Sequence, residues 1–66
     1  MNITINGERK EFPHILTVAE LLAHVEIDPR KIAVERNLQL VKRTEYAITP
    51  LNDGDEIEIV NFVGGG

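Results

Sequence analysis

Ile57-Glu58-Ile59-Val60-Asn61-Phe62-Val63-Gly64-Gly65-Gly66 closes the 66-residue chain, and its alternation orients everything before it. Ile57 and Ile59 alternate with Glu56 and Glu58, which marks a strand with one core face and one wet face. The same period puts Val60 and Phe62 on the wet face, where apolar side chains are out of place. The run then enters three of the chain's five glycines with no polar spacer. Glycine loses more freedom on ordering than any other residue, so a triple-glycine end contributes little to a fold. It is well suited to carrying an unhindered carboxylate outward, and three extended residues reach roughly 10 Å. The expected organisation is a single folded domain over residues 1–63 and a flexible glycine tail over 64–66. Val60 and Phe62 form a candidate docking patch beside that tail.

Working back from the closing strand, Pro50-Leu51-Asn52-Asp53-Gly54-Asp55 is turn chemistry, and the strand begins at Glu56. Ile32-Ala33-Val34-Glu35-Arg36 predicts another strand, with Ile32 and Val34 on one face. Asn37 suggests a turn, and Leu38 to Val41 reads as a short strand or an irregular apolar link. Residues 42–48 have no clean period; Tyr46 and Ile48 are available to cover the sheet edge. At the other end, Met1, Ile3 and Ile5 alternate with Asn2 and Thr4, then Asn6-Gly7 supplies a tight hairpin turn. Arg9 to Phe12 returns as a charged edge strand that Pro13 terminates. Thr17-Val18-Ala19-Glu20 fits a capping box, with Leu16 and Leu21 in the staple positions. Val18, Leu21, Leu22 and Val25 form one apolar stripe of a short helix that Asp28-Pro29 closes. A helix this short needs a sheet to pack on. One stripe covers one sheet face, which gives an α+β architecture: a mixed four- to five-stranded sheet with one main helix.

Composition removes several functions. No cysteine is present, so there is no disulfide, no internal thiol nucleophile and no thiolate metal ligand. Eleven acidic against seven basic residues give a net charge of −4, without a basic stripe for nucleic acid. Three aromatics offer little stacking surface. No apolar run approaches membrane-spanning length, and Met1 to Ile5 does not resemble a secretory leader, so a cytoplasmic location is expected. His14 and His24 have no metal-ligand spacing; a histidine late in a helix suits the helix dipole. Asp53, Asp55 and Glu56 surround Gly54 without the calcium-loop pattern, and a plain turn accounts for them. Serine is absent, and no nucleophile–base–orienter set or phosphate-cradling loop can be assembled. The chain is therefore expected to be a substrate or partner for other proteins, without a catalytic site or bound cofactor of its own.

The layout, the Leu51-Asn52-Asp53-Gly54-Asp55-Glu56-Ile57 run and the final Gly65-Gly66 together resemble the β-grasp, or ubiquitin-like, sulfur carriers. Within them the chain is most similar to the ThiS type, through Ile32-Ala33-Val34-Glu35-Arg36-Asn37, Val41-Lys42-Arg43 with Tyr46, and Phe62-Val63-Gly64-Gly65-Gly66. The resemblance spans essentially the whole chain. Lys42 departs from it, standing where ThiS proteins commonly have proline before the arginine. The MoaD type, which serves molybdopterin, usually runs longer and often has a Pro-Pro pair where this chain has Asn61-Phe62.

What the resemblance implies is a Gly66 carboxylate adenylated by a ThiF-like enzyme using ATP and Mg²⁺. A persulfide donor protein then supplies sulfur, and the thiocarboxylate passes to a ThiG-like thiazole synthase. The cofactors belong to those partners, and the free carrier is expected to be monomeric. A MoaD-like role and a ubiquitin-like modifier joined to lysine through Gly66 are the alternatives. Ordering three tail residues costs roughly 3–6 kcal/mol of backbone entropy. Burying Val60 and Phe62 returns roughly as much. Recognition is therefore expected from the folded face and reactivity from the tail.

Overall fold

Alternating isoleucines build the centre of the sheet. In the computed structural model, which describes residues 1–14 and 16–61, they lie on β1 (Asn2–Ile5) and β5 (Glu56–Asn61). These two strands pair in parallel, with Ile5 beside Ile57. The other strands are β2 (Glu8–Glu11), β3 (Ile32–Arg36) and β4 (Gln39–Val41). The order across the sheet is β2-β1-β5-β3-β4, with every pair except β1–β5 antiparallel. The carboxy-terminal strand is therefore the middle strand. One helix, α1 (Val18–His24), supplies Val18, Leu21 and Leu22 to the core. They pack with Ile3, Ile32, Val34, Ile57 and Ile59 from the sheet, and with Leu16, Tyr46 and Leu51 from the connections. This five-stranded mixed sheet with a single main helix is the β-grasp arrangement that the sequence implies.

Both hairpins turn on two residues in the left-handed region. In the first these are Asn6 (φ 49°) and Gly7 (φ 83°), the residue types that such turns favour. In the second they are Asn37 (φ 50°) and Leu38 (φ 71°). The turn therefore extends one residue further than the sequence suggests, and Gln39 to Val41 forms a true strand. β2 runs from Glu8 to Glu11, one residue earlier than read, and all four of its charged residues are exposed. Such an edge resists pairing with another chain. Phe12 follows it into the core and bonds back to Met1, its amide donating to the Met1 carbonyl at 2.8 Å.

The capping box at α1 forms as expected. The Glu20 amide donates to Thr17 Oγ1 at 3.2 Å, and the Thr17 amide donates to Glu20 Oε1 at 2.8 Å. The amides of Val18 and Ala19 donate to the carbonyls of Thr49 and Tyr46, both at 2.9 Å. The helix N-terminus thus ties down the long connection to β5. Thr17→Ala removes one side of the box and should cost about 1 kcal/mol. A thermal melt should show this as a loss of roughly 4–8 °C.

The helix ends earlier than Asp28-Pro29, and for a different reason. Glu26 takes a left-handed conformation (φ 57°). Its amide donates to the Ala23 carbonyl at 3.2 Å, and the Ile27 amide donates to the Leu22 carbonyl at 3.0 Å. These are the two bonds of a Schellman termination, with glutamate in the usual glycine position. Val25, read as the last member of the stripe, is instead the half-buried C-cap. Asp28 caps the 3-10 turn Pro29–Lys31. Its side-chain bonds from Arg30, followed by the Arg30 amide, lower its pKa to about 2.

Tyr46 is buried, as expected of a residue covering the sheet edge, but Ile48 is 73% exposed. Ile48 follows the 3-10 turn Arg43–Glu45, in the stretch that carries Tyr46 inward and leaves it outside. Lys42 has φ −69° and ψ 140°, the backbone conformation that proline itself adopts. The lysine therefore occupies the usual proline position without redirecting the chain. Among the described residues, no helix is long and apolar enough to cross a membrane.

A candidate docking face at the end of the central strand

Along β5 the burial alternates as the isoleucine–glutamate pattern predicts. Ile57 and Ile59 are buried, whereas Glu56, Glu58 and Val60 are exposed. Val60, at 52% exposure, stands opposite Ala33 on the sheet face away from the core. Glu35 lies directly opposite Glu58 one step along the same face. Like charges so placed are destabilising. The face is thus acidic over Glu35, Glu56 and Glu58, and apolar at the end where the chain leaves β5.

Two side-chain clamps hold this strand in place. The β1–β5 ladder has its register pairs at Thr4–Glu56 and Ile5–Ile57, after which β1 turns away. Asn6 continues it with its side chain: Oδ1 accepts from the Ile59 amide at 2.7 Å, and Nδ2 donates to the Ile59 carbonyl at 3.2 Å. One carboxamide thereby replaces a backbone peptide group beside the last turnless stretch before Val60. Sequence reading identified Asn6 only as a turn residue. It holds a turn position (φ 49°) while its side chain bonds to Ile59 of β5.

The second clamp lies at the other end of β5. Asp55 Oδ2 accepts from Arg36 Nε at 2.9 Å and from the Asn52 amide at 2.8 Å; Oδ1 accepts from Asn37 Nδ2 at 3.0 Å. Asn37 Oδ1 in turn accepts from the Glu56 amide at 2.9 Å. Burial alone would raise the Asp55 pKa, but the bonds from Asn52, Asn37 and Arg36 outweigh it and hold the carboxyl below the ordinary value. The plain-turn reading of Asp53, Asp55 and Glu56 needs correcting for Asp55, which is a buried junction between β5 and the second hairpin. Asp53 fastens the opposite side, accepting from the Asn2 amide at 2.6 Å. His14 is exposed, and His24 sets its ring edge-on to Phe12 with centroids 5.8 Å apart. The expectations for Phe62, Gly64, Gly65 and Gly66, and for a tail boundary after residue 63, lie outside the described residues.

The ThiS family model matches residues 3–66. The chain belongs to the ThiS family. Over all 66 residues it is 50% identical to a thiazole synthase of Paramagnetospirillum magneticum, of whose length it spans 20%. It is 42% identical over 50 residues to the sulfur carrier protein ThiS of Bacillus subtilis, covering 76% of each chain. The crystal structure of the thiamine biosynthesis protein ThiS from Geobacter metallireducens superposes with a TM-score of 0.88 at 33% identity, covering 100% of both chains. The family assignment thus rests on the whole folded body as well as on the glycine-rich end.

Proposed function

We propose that the chain is a sulfur carrier in thiamin biosynthesis, with the Gly66 carboxylate as the atom group that is modified. The observation that carries this reading is the family match running through residue 66, on a chain without cysteine. A carboxylate is a poor electrophile. In an adenylating partner, one Gly66 oxygen attacks the α-phosphorus of ATP, pyrophosphate leaves and an acyl-adenylate forms; Mg²⁺ held by that partner would supply the charge neutralisation this needs. The terminal sulfur of a persulfide on a donor protein then attacks the acyl carbon, and AMP leaves. A thiol cleaves the resulting acyl disulfide by exchange, releasing the Gly66 thiocarboxylate. Thiazole synthase is the proposed acceptor, a reading supported by relatives of that name in which a segment matching this whole chain forms part of a longer protein.

The folded face does the recognising in this scheme. Val60→Lys leaves the buried side of β5 untouched and should leave the melting temperature nearly unchanged. Removing one apolar contact of this size and adding a charge should raise the KM for adenylation roughly tenfold or more. An unaltered KM would rule Val60 out of the docking surface. For the carrier role itself, the measurement is intact mass of the protein from its own cells. A species heavier by the difference between sulfur and oxygen, mapped to Gly66, is expected. Finding Gly66 joined only to lysines of other proteins would replace the carrier reading with that of a modifier.

A further inference from the structure

One corner of this acidic molecule carries the opposite charge. Four of its seven basic residues, Arg30, Lys31, Lys42 and Arg43, lie in or beside two 3-10 turns, Pro29–Lys31 and Arg43–Glu45. The turns are joined where Arg43 Nη2 donates to the Arg30 carbonyl at 3.4 Å. Arg30 is already engaged by Asp28 at 2.9 Å. Lys42 and Arg43 have no carboxylate at ion-pair distance among the described residues. Between this corner and the sheet lies a groove of about 260 Å³. Ala33, Leu40, Val41 and Tyr46 contribute to its apolar lining, and Lys42 and Arg43 are its cationic members. The groove reaches Ile32 and Ala33, the register partners of Asn61 and Val60, so it adjoins the point where the chain leaves β5.

We propose that this groove receives an acidic, apolar-flanked segment of the partner that activates the chain's carboxyl end. The identity of that partner rests on the carrier reading above; the chemistry of the occupant does not. The volume is below the roughly 300 Å³ at which small-molecule sites begin, and suits one or two side chains. A nucleotide phosphate would meet the two cations but strand its charge over the apolar lining. A leucine-sized side chain beside a carboxylate satisfies both parts: the apolar group covers Leu40 and Tyr46, and the carboxylate meets Lys42 or Arg43. A second recess shares Leu40 and Val41 with this groove but adds Arg36, Gln39, Glu45 and Thr49; it carries both signs of charge and lacks this match.

Two measurements test the groove. In the first, the isotope-labelled chain is titrated with acetyl-Glu-Leu-Asp-amide and, separately, with acetyl-Lys-Leu-Lys-amide. The acidic peptide should shift the amide resonances of Ala33, Leu40 and residues 42–46, with saturation in the millimolar range. The Lys42→Glu/Arg43→Glu double variant should abolish those shifts, and Lys42→Arg/Arg43→Lys should retain them. Equal shifts from the basic peptide, or shifts scattered over other surfaces, would overturn the proposal. The second measurement is ATP–pyrophosphate exchange with the purified adenylating enzyme. The double charge reversal should raise KM roughly tenfold at low salt with kcat preserved, and the gap should close as salt is added. An unchanged KM would also overturn it. If the parent chain is not adenylated at all, the carrier reading fails, and the peptide titration still decides the groove.

Discussion

Appending a single alanine after Gly66 should abolish thiocarboxylate formation while leaving the thermal melt where it was. The added residue moves the carboxylate proposed to react by one peptide length, about 3.5 Å. It also adds a β-carbon to an end otherwise made only of glycine. Misplacing a reacting group by an ångström can cost about a hundredfold in rate. Displacement by a whole residue should therefore reduce acyl-adenylate formation at least that far. Intact mass after incubation with ATP, adenylating enzyme and persulfide donor reads the result directly. Full conversion of the extended chain would remove Gly66 from the mechanism. A normal melt with no conversion separates the tail's chemistry from the stability of the body.

The second large effect concerns stability. Asp55→Asn leaves the Arg36 guanidinium beside a neutral amide, and the new NH₂ group faces donors from Asn37, Asn52 or Arg36. Breaking a buried, hydrogen-bonded charge in this way should cost about 2–4 kcal/mol; partial exposure of Arg36 keeps the loss from going higher. A 66-residue domain has roughly 3–10 kcal/mol in total. The melting temperature should fall by roughly 10–30 °C. The pH dependence follows from the same carboxylate. Its pKa is lowered on folding, so its contribution is fully present above the unfolded value of about 4 and is lost as pH falls through the lower folded value. Acid titration of the parent should show stability declining below about pH 4. The Asn variant should start lower and decline less steeply. Parallel acid profiles would show that Asp55 does not provide this linkage.

Features written in neighbouring residues were legible. Asn6-Gly7 declares its turn, Thr17 and Glu20 declare the cap, and the parity of Glu56 to Val60 assigns each side chain to a face. Features that break a residue-type rule were not. Glu26 ends the helix in a conformation usually given to glycine, and Leu38 completes a turn that favours glycine, so neither announces itself. Long-range pairings were equally silent. Asp55 looks like a solvated turn residue until Arg36, nineteen positions earlier, is brought beside it. Asn6 lies fifty-three positions from the strand it supports. Of the candidate site, the outward position of Val60 follows from local alternation. The groove does not, because Ala33, Leu40 and Tyr46 come from three separate segments.

The central position of β5 has a mechanical consequence. Its neighbours are β1 on one side and β3 on the other, so tension applied to the chain beyond Asn61 is resisted along two seams at once. Along the β1 side the strands run parallel, and pulling the two chain ends apart loads those bonds in shear, together, instead of peeling them open singly. The Asn6 carboxamide adds two more bonds near the point of load. A partner that draws the end of this chain into its interior would thus tow the whole body with it, without unzipping the strand it grips.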